Sequence, residues 1–396
     1  MKVLDVLIVG GGAAGLAAAS KGGPGWAIAE KNGELAKKIY ATGSGRCNYM
    51  NSGASGLPGG FTPQSLKEEL EAIGICGKEE EEGRLYPRSG KAGDVALALI
   101  HAAERSGTQV VTDFDAFSVE WDGENFAVTA RDGRKLRAKK LILATGGKAG
   151  IQFGCEGAGL KMAASLGHSV RKPIPALTSL SCEEDLSSLA GVRVRGRLSF
   201  VREKDGMSLP LACDSGEIQF TKNTVSGICT MNLSRFYRLE EGCSFYLMID
   251  FFEDLSADAL MKLLAERCRL FPEENAGFLL NTLVPAKLAE HLLKSAGINA
   301  ACSIRELSER QLLMLTASCK LTKLHITGAG GWKDAQVTCG GIDLSEVNLN
   351  TMESRIVPGF YPVGEILDYD GPCGGYNLSW AFACGLTAAK WSEYTK

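Results

Sequence analysis

The stretch VLIVGGGAAGLAAA, Val6 to Ala19, decides the fold. With Val3–Asp5 before it, its first half is a nearly continuous apolar run, the pattern of a parallel strand buried on both faces. Gly10, Gly12 and Gly15 then fit G-x-G-x-x-G, and Ala13, Ala14 and the small residues after them let a helix pack close to a sheet. Gly10 permits the turn, Gly12 lets the backbone approach a pyrophosphate, and the helix start offers free N–H groups to negative charge. Such a cradle needs a carboxylate at the end of the second strand to hold a ribose. Glu30, in WAIAEKN, lies 20 residues after Gly10. Strand, turn, helix and acid together predict a dinucleotide site. This stretch alone leaves flavin and nicotinamide both open.

Three further stretches choose between them. RKLRAKKLILATGG sets an apolar strand directly before Thr145, Gly146 and Gly147, a turn found in two-domain flavoproteins of the glutathione-reductase type. IVPGFYPVGEILD ends a second short strand in Gly364-Glu365, where FAD proteins carry Gly-Asp and the acid binds the ribityl chain. GGYNLSWAFACG opens a helix at Gly374 and Gly375, placing a helix N-terminus where it can stabilise negative charge on a reduced flavin. A nicotinamide-only domain accounts for none of the three, so the cofactor is FAD. No second glycine fingerprint follows a mid-chain strand. A nicotinamide that reduces this flavin is therefore a transient visitor sharing the substrate's opening.

The segments AKKIYATGSGRCNYMN, GRLYPRSGKAGDV and TCGGIDLSEVNLNTMESRIVPGFYPVGEILDYDGPCGGYNLSWAFACG, with the opening loop, resemble the BaiN-like (BaiN/RdsA) family of NAD(P)/FAD-dependent oxidoreductases, which includes enzymes described as aminoacetone oxidases. The chain departs from the family pattern at Ser44, where a third glycine is expected, and in FTKNTVSGI, where Lys222 replaces a histidine. The resemblance implies an α/β fold: a Rossmann-like FAD-binding domain of glutathione-reductase type built from residues 1–175 and 326–396. Between them the pattern predicts an antiparallel β subdomain over 176–255 and a small helical subdomain over 256–325, with Ser256 as a helix cap. Pro173 and Pro175 mark the crossing into the insert.

The cofactor-binding set expected from motif and resemblance is Gly10, Gly12, Ala13, Ala14, Gly15, Glu30, Lys31, Lys38, Gly43, Gly45, Arg46, Cys47, Asn48, Thr145, Gly146, Gly147, Gly364, Glu365, Gly374, Gly375, Tyr376 and Asn377. Catalytic roles fall to Arg46, which can hold an oxygen, Asn48, which can hydrogen-bond in either sense, and Tyr376, a proton donor. Cys47 is read as structural, since no second cysteine lies near it in sequence.

Composition narrows the class. Of 396 residues, 45% are hydrophobic and 22% charged, with a net charge of −3, which gives no reason to expect a polyanion partner. The 48 glycines cluster rather than repeat. Thirteen cysteines without a CxxC pair fit a reduced, cytoplasmic chain. The four histidines are dispersed, so no metal is expected, and no segment is long and apolar enough to span a membrane. Arg193, Arg195 and Arg197 read as a solvated strand edge, and Lys78–Glu82, KEEEE, as a solvated loop or helix end.

The motifs imply an FAD-dependent oxidoreductase, and the family resemblance implies one that uses NAD(P)H to reduce an activated C=C bond in a small-molecule substrate. An amine oxidase using oxygen and the reduction of uridine in ribosomal RNA stand as alternatives. A flavin-binding protein without turnover is a fourth reading. The sequence names neither substrate nor oligomeric state.

Overall fold

The computed structural model describes residues 2–238 and 242–394. The chain forms two compact units, Met1–Ala176 with Ala335–Lys396, and Leu177–Asp334.

The first unit is built on a seven-stranded sheet. Its parallel part runs in the order Gln109–Val111, Trp26–Ala29, Val3–Val9, Lys135–Leu143, Phe360–Pro362. Val6, Leu7, Ile8 and Val9 are all buried, as are Leu141, Ile142 and Leu143 beside them, which is why these two stretches are continuously apolar. Lys135–Leu143 divides its outer edge: Leu141–Leu143 pair in parallel with Phe360–Pro362, while Lys135–Ala138 pair with the antiparallel hairpin Ala116–Trp121/Phe126–Ala130. The C-terminal strand thus joins the N-terminal sheet directly, and the helix Tyr376–Tyr394 packs on the helix Ala13–Ala19. That packing depends on glycine: a β-carbon on Gly385 would stand 2.1 Å from the Ala14 carbonyl oxygen.

The exit to the second unit is a ribbon. Val170–Ala176 pairs antiparallel with Val337–Ile342, Ala176 facing Val337. Its register shifts between Arg171 and Ile174, next to Pro173, which has no N–H to give the ladder.

The second unit is a closed six-stranded antiparallel barrel in the order Leu180–Cys182, Thr224–Ser226, Met207–Phe220, Arg193–Lys204, Cys243–Asp250, Thr322–Ala329. Its long hairpin turns at Asp205 and Gly206, both with positive φ (51° and 75°), the two-residue turn whose twist suits antiparallel strands. Arg193 and Arg195 sit where the strand pairs on one side only, so they do flank a free edge. The helices Ala257–Leu270, Ala286–Ser295 and Glu309–Lys320 connect two neighbouring barrel strands. Ser256 caps the first of these and Ser308 with Gln311 the third.

The division into three parts, with 176–255 and 256–325 as separate subdomains, becomes a division into two. Leu260, Leu264, Leu288, Leu292, Leu312 and Leu315 share one core with Leu198, Phe200, Leu247 and Ile249 of the barrel. The last barrel strand begins at Thr322, so the helical run interrupts the barrel instead of following it.

Candidate active site

The glycine turn has the geometry its spacing demands. Gly10 has φ +108°, and a β-carbon there would lie 2.4 Å from the Ala144 carbonyl oxygen. One on Gly15 would lie 1.9 Å from the Gly10 carbonyl oxygen. At Gly12, φ is −86° and nothing stands within 4 Å of the missing β-carbon. Two of the glycines therefore make the turn, and the third leaves free space beside it. Glu30 closes the far side: it accepts from the N–H groups of Gly11 (2.7 Å) and Asn32 (2.8 Å) and from Asn32 Nδ2 (2.7 Å). Lys31 pairs with Glu156 at 2.9 Å.

Four distant segments meet at Glu365. Its Oε2 lies 2.6 Å from Lys38 Nζ, and its Oε1 accepts from Thr338 N and Oγ1, both at 3.0 Å. Thr338 Oγ1 in turn accepts from the N–H groups of Lys148 (2.8 Å) and Ala149 (3.0 Å) in the turn after Thr145-Gly146-Gly147. A β-carbon on Gly147 would sit 2.3 Å from that hydroxyl, and one on Gly364 2.9 Å from Ala14 Cβ. Burial pulls the Lys38 ammonium down, but the Glu365 carboxylate and the Cys155 thiol outweigh it and leave its pKa above the ordinary value. The extra methylene of Glu365 relative to Asp lets it bridge Lys38 and Thr338.

The segment around GSGRCN is held in left-handed backbone at Gly43, Ser44, Gly45 and Cys47 (φ 56°, 56°, 83° and 58°). Its side chains separate. Arg46 turns outward, bonding Glu80 at 2.6 Å with its guanidinium 4.0 Å above the centre of the Tyr86 ring. Cys47 is fully buried, and burial pushes its thiol up to about 11, which fits the structural reading. Asn48 is buried, and its Oδ1 has no partner within the chain. That oxygen would lie 2.7 Å from a β-carbon on Gly375.

Gly374 and Gly375 (φ 116° and 94°) deliver the chain into the last helix. A β-carbon on Gly375 would sit 2.4 Å from the Met50 carbonyl oxygen, so the GRCN segment and this helix start touch through backbone. Asn51 fastens them: its Nδ2 donates to the Gly374 carbonyl (2.7 Å) and the Glu82 carbonyl (3.1 Å), and its N–H donates to Ser379 Oγ (3.2 Å). Tyr376 opens the helix and brings its hydroxyl next to Gly53, 3.3 Å from where a β-carbon would stand. Asn377 faces elsewhere, its amide spent on Gly371 N (2.8 Å) and O (2.9 Å), so its side chain braces the preceding loop.

The expected residues therefore form two groups. Gly10 to Gly15, Glu30, Lys38, the Thr145 turn and Gly364-Glu365 line the dinucleotide cradle. Asn48, Gly374, Gly375 and Tyr376 form a second cluster. Arg46 and Asn377 are turned away from both. Asn51, Arg84 and Thr338 were passed over; each lies in a quoted motif but was given no role. Lys78–Glu82 is exposed throughout and leads into a short helical turn at Glu81–Gly83, with Glu79, Glu80 and Glu82 bonding Ser52, Arg46 and Arg84. Among the described residues no cluster could hold a metal ion, and no helix is long and apolar enough to cross a membrane.

Residues 59–391 match the family described as HI0933-like protein Rossmann domain. The chain belongs to that family. A 3-dehydro-bile acid delta(4,6)-reductase of Clostridium scindens is 33% identical over 403 residues, spanning 97% of each chain. A ribosomal RNA dihydrouridine synthase of Escherichia coli is 27% identical over 412 residues, 98% of each. Among solved structures, a 3-ketosteroid-delta4-(5alpha)-dehydrogenase from Rhodococcus jostii RHA1 is similar with a TM-score of 0.47 and 14% identity, covering 97% of this chain and 96% of that one. Family membership, read with the cradle, makes the chain an FAD-dependent oxidoreductase.

FAD fits the residues present. Gly12 leaves free space where the diphosphate approaches, and Asn48 Oδ1 and Thr145 Oγ1 are buried without partners. An unsatisfied buried polar atom costs about 1–3 kcal/mol, which a ligand hydrogen bond would offset.

Proposed function

We propose that this chain reduces an activated C=C bond in a small carbonyl compound, with NAD(P)H as the source of hydride. The observation that carries the proposal is the fastening of the GRCN segment to the Gly374-Gly375-Tyr376 helix start through Asn51, beside a buried Asn48 oxygen with no partner. The 33% identical bile-acid reductase supports the direction of the reaction.

FAD, when bound, supplies hydride transfer at its ring. The chain's own residues do the rest. Gly12 and Glu30 hold the diphosphate and ribose, and Lys38 with Thr338 fixes the Glu365 carboxylate near the ribityl chain. Asn48 fixes one polar edge of the ring. Tyr376 holds a proton at its phenol oxygen for the substrate carbon next to the one that takes hydride. Asn51 keeps Tyr376 and Asn48 on one cluster.

A second reading, reduction of uridine in ribosomal RNA, is favoured by the 27% identical relative. Mixing the flavin-loaded protein anaerobically with NADH, NADPH and aminoacetone in turn separates the readings. Bleaching by a nicotinamide, followed by reoxidation with a steroid enone, is expected. Reoxidation by a uridine-containing RNA and not by enones would favour the second reading, and bleaching by aminoacetone alone would make the protein an oxidase.

A further inference from the structure

With Arg46 turned away, a different guanidinium serves the Gly374 cluster. Arg84, in GRLYPRSG, has a side chain only 20% exposed. Its Nε lies 3.4 Å from where a β-carbon on Gly374 would stand; Asn51 Nδ2 is 3.6 Å and Tyr376 Cε2 3.7 Å from the same point. The Asn48 oxygen without a partner lies at the adjacent glycine. A positive charge and the proposed proton donor thus converge on one spot, which Asn51 braces through the Gly374 and Glu82 carbonyls.

Arg84 has an ion-pair partner, and its nature is informative. Glu82, two residues earlier, is 65% exposed and sits in left-handed backbone (φ 58°), which glutamate disfavours. The pair is solvated on its Glu82 side, and that carboxylate is the exchangeable partner. The pair also shows that a carboxylate oxygen can reach the Arg84 guanidinium, here through Nη2. The geometry points to Arg84 as the specificity-determining residue of the site: it binds a carboxylate on the substrate, and Glu82 is the internal stand-in that this carboxylate displaces. The substrate class is then a small unsaturated carbonyl compound bearing one carboxylate. A polyanion is disfavoured, because Glu79, Glu80 and Glu81 on the same turn are exposed and add negative charge around Arg84. This assignment rests on the reductase reading above.

The test titrates FAD-loaded protein with benzoate and its neutral isostere benzamide, following the flavin absorbance at equilibrium. Wild type is expected to bind benzoate at least about tenfold more tightly than benzamide, as a charged hydrogen-bonded contact provides. Arg84→Met should abolish that ratio, and Arg84→Lys should keep part of it. Glu82→Gln should tighten benzoate about two- to fivefold and leave benzamide unchanged, because it removes only the competing carboxylate. Should Arg84→Met fail to hold FAD, the Glu82→Gln result decides alone. Equal affinities in wild type, a ratio that survives Arg84→Met, or weaker benzoate binding by Glu82→Gln would each overturn the assignment. So would Arg84-dependent binding of a labelled oligouridylate at concentrations where benzoate does not bind. A wild type that takes up no FAD refutes the flavin reading instead, so the two failures are distinct.

Discussion

At the residue scale the glycines of the opening turn divide into those that shape the fold and one that leaves space for a ligand. A β-carbon on Gly15 meets backbone at 1.9 Å, whereas one on Gly12 meets nothing. Gly15→Ala is therefore expected to destabilise the protein by about 2–4 kcal/mol or prevent folding, as overpacking against backbone does. Compared without FAD, Gly12→Val should keep its melting temperature within about 2 °C of wild type, as open positions do, yet lose most FAD affinity. Parallel thermal scans and FAD titrations check both, and a Gly12→Val protein that binds FAD normally would remove the diphosphate from that turn. The turn itself was legible in the sequence, because G-x-G-x-x-G spacing fixes backbone and backbone geometry transfers between proteins. Arg46 shows the limit. The direction of its long side chain depends on Glu80 and Tyr86, which come from elsewhere in the chain.

At the element scale, Thr351–Ser354 lies within the long C-terminal segment that carries the family resemblance. The structure makes it a clamp. Ser354 Oγ accepts from the N–H groups of Ile356 (3.0 Å) and Val357 (2.9 Å) and meets His168 Nε2 at 2.8 Å, while Glu346 Oε2 meets His168 Nδ1 at 2.9 Å. The turn before strand Phe360–Pro362 is thus tied to the end of helix Ala158–Ser165. Burial lowers the His168 pKa below its ordinary 6.5, although Glu346 acts to raise it. The folded protein then takes up this proton less readily than the unfolded chain, so the contribution is whole above about pH 6.5 and is lost as pH falls below it. Glu346 titrates below this window: burial pushes it up, but hydrogen bonds from Ser169 and His168 leave it below 4.5. Melting temperatures between pH 7.5 and 5 should fall more steeply for wild type than for His168→Gln, and parallel curves would show that His168 carries none of the acid sensitivity. The pairing of His168 with Glu346 was not legible, because partners 178 residues apart leave no local signal in sequence.

At the scale of the whole molecule, the FAD unit is assembled from both ends of the chain and closed by a ribbon in which Ala176 faces Val337. Replacing residues 177–334 by a short Asn-Gly hairpin is expected to give a folded protein that still binds FAD, since both strands of the ribbon and the whole parallel sheet remain. Aggregation, or a folded product without FAD affinity, would show that the cradle needs the barrel unit. The interrupted architecture was legible because the two ends carry complementary FAD motifs. The two-unit division was not, since a barrel whose last strand follows three helices reads in sequence as strands and then helices. The central claim for the whole molecule is that it is a flavoprotein built around that cradle. The most direct measurement is the visible spectrum of the purified protein, with the cofactor released by acid, identified and quantified. One FAD per chain, restored stoichiometrically to the stripped protein, is the predicted result; a colourless protein that takes up no added FAD would contradict it.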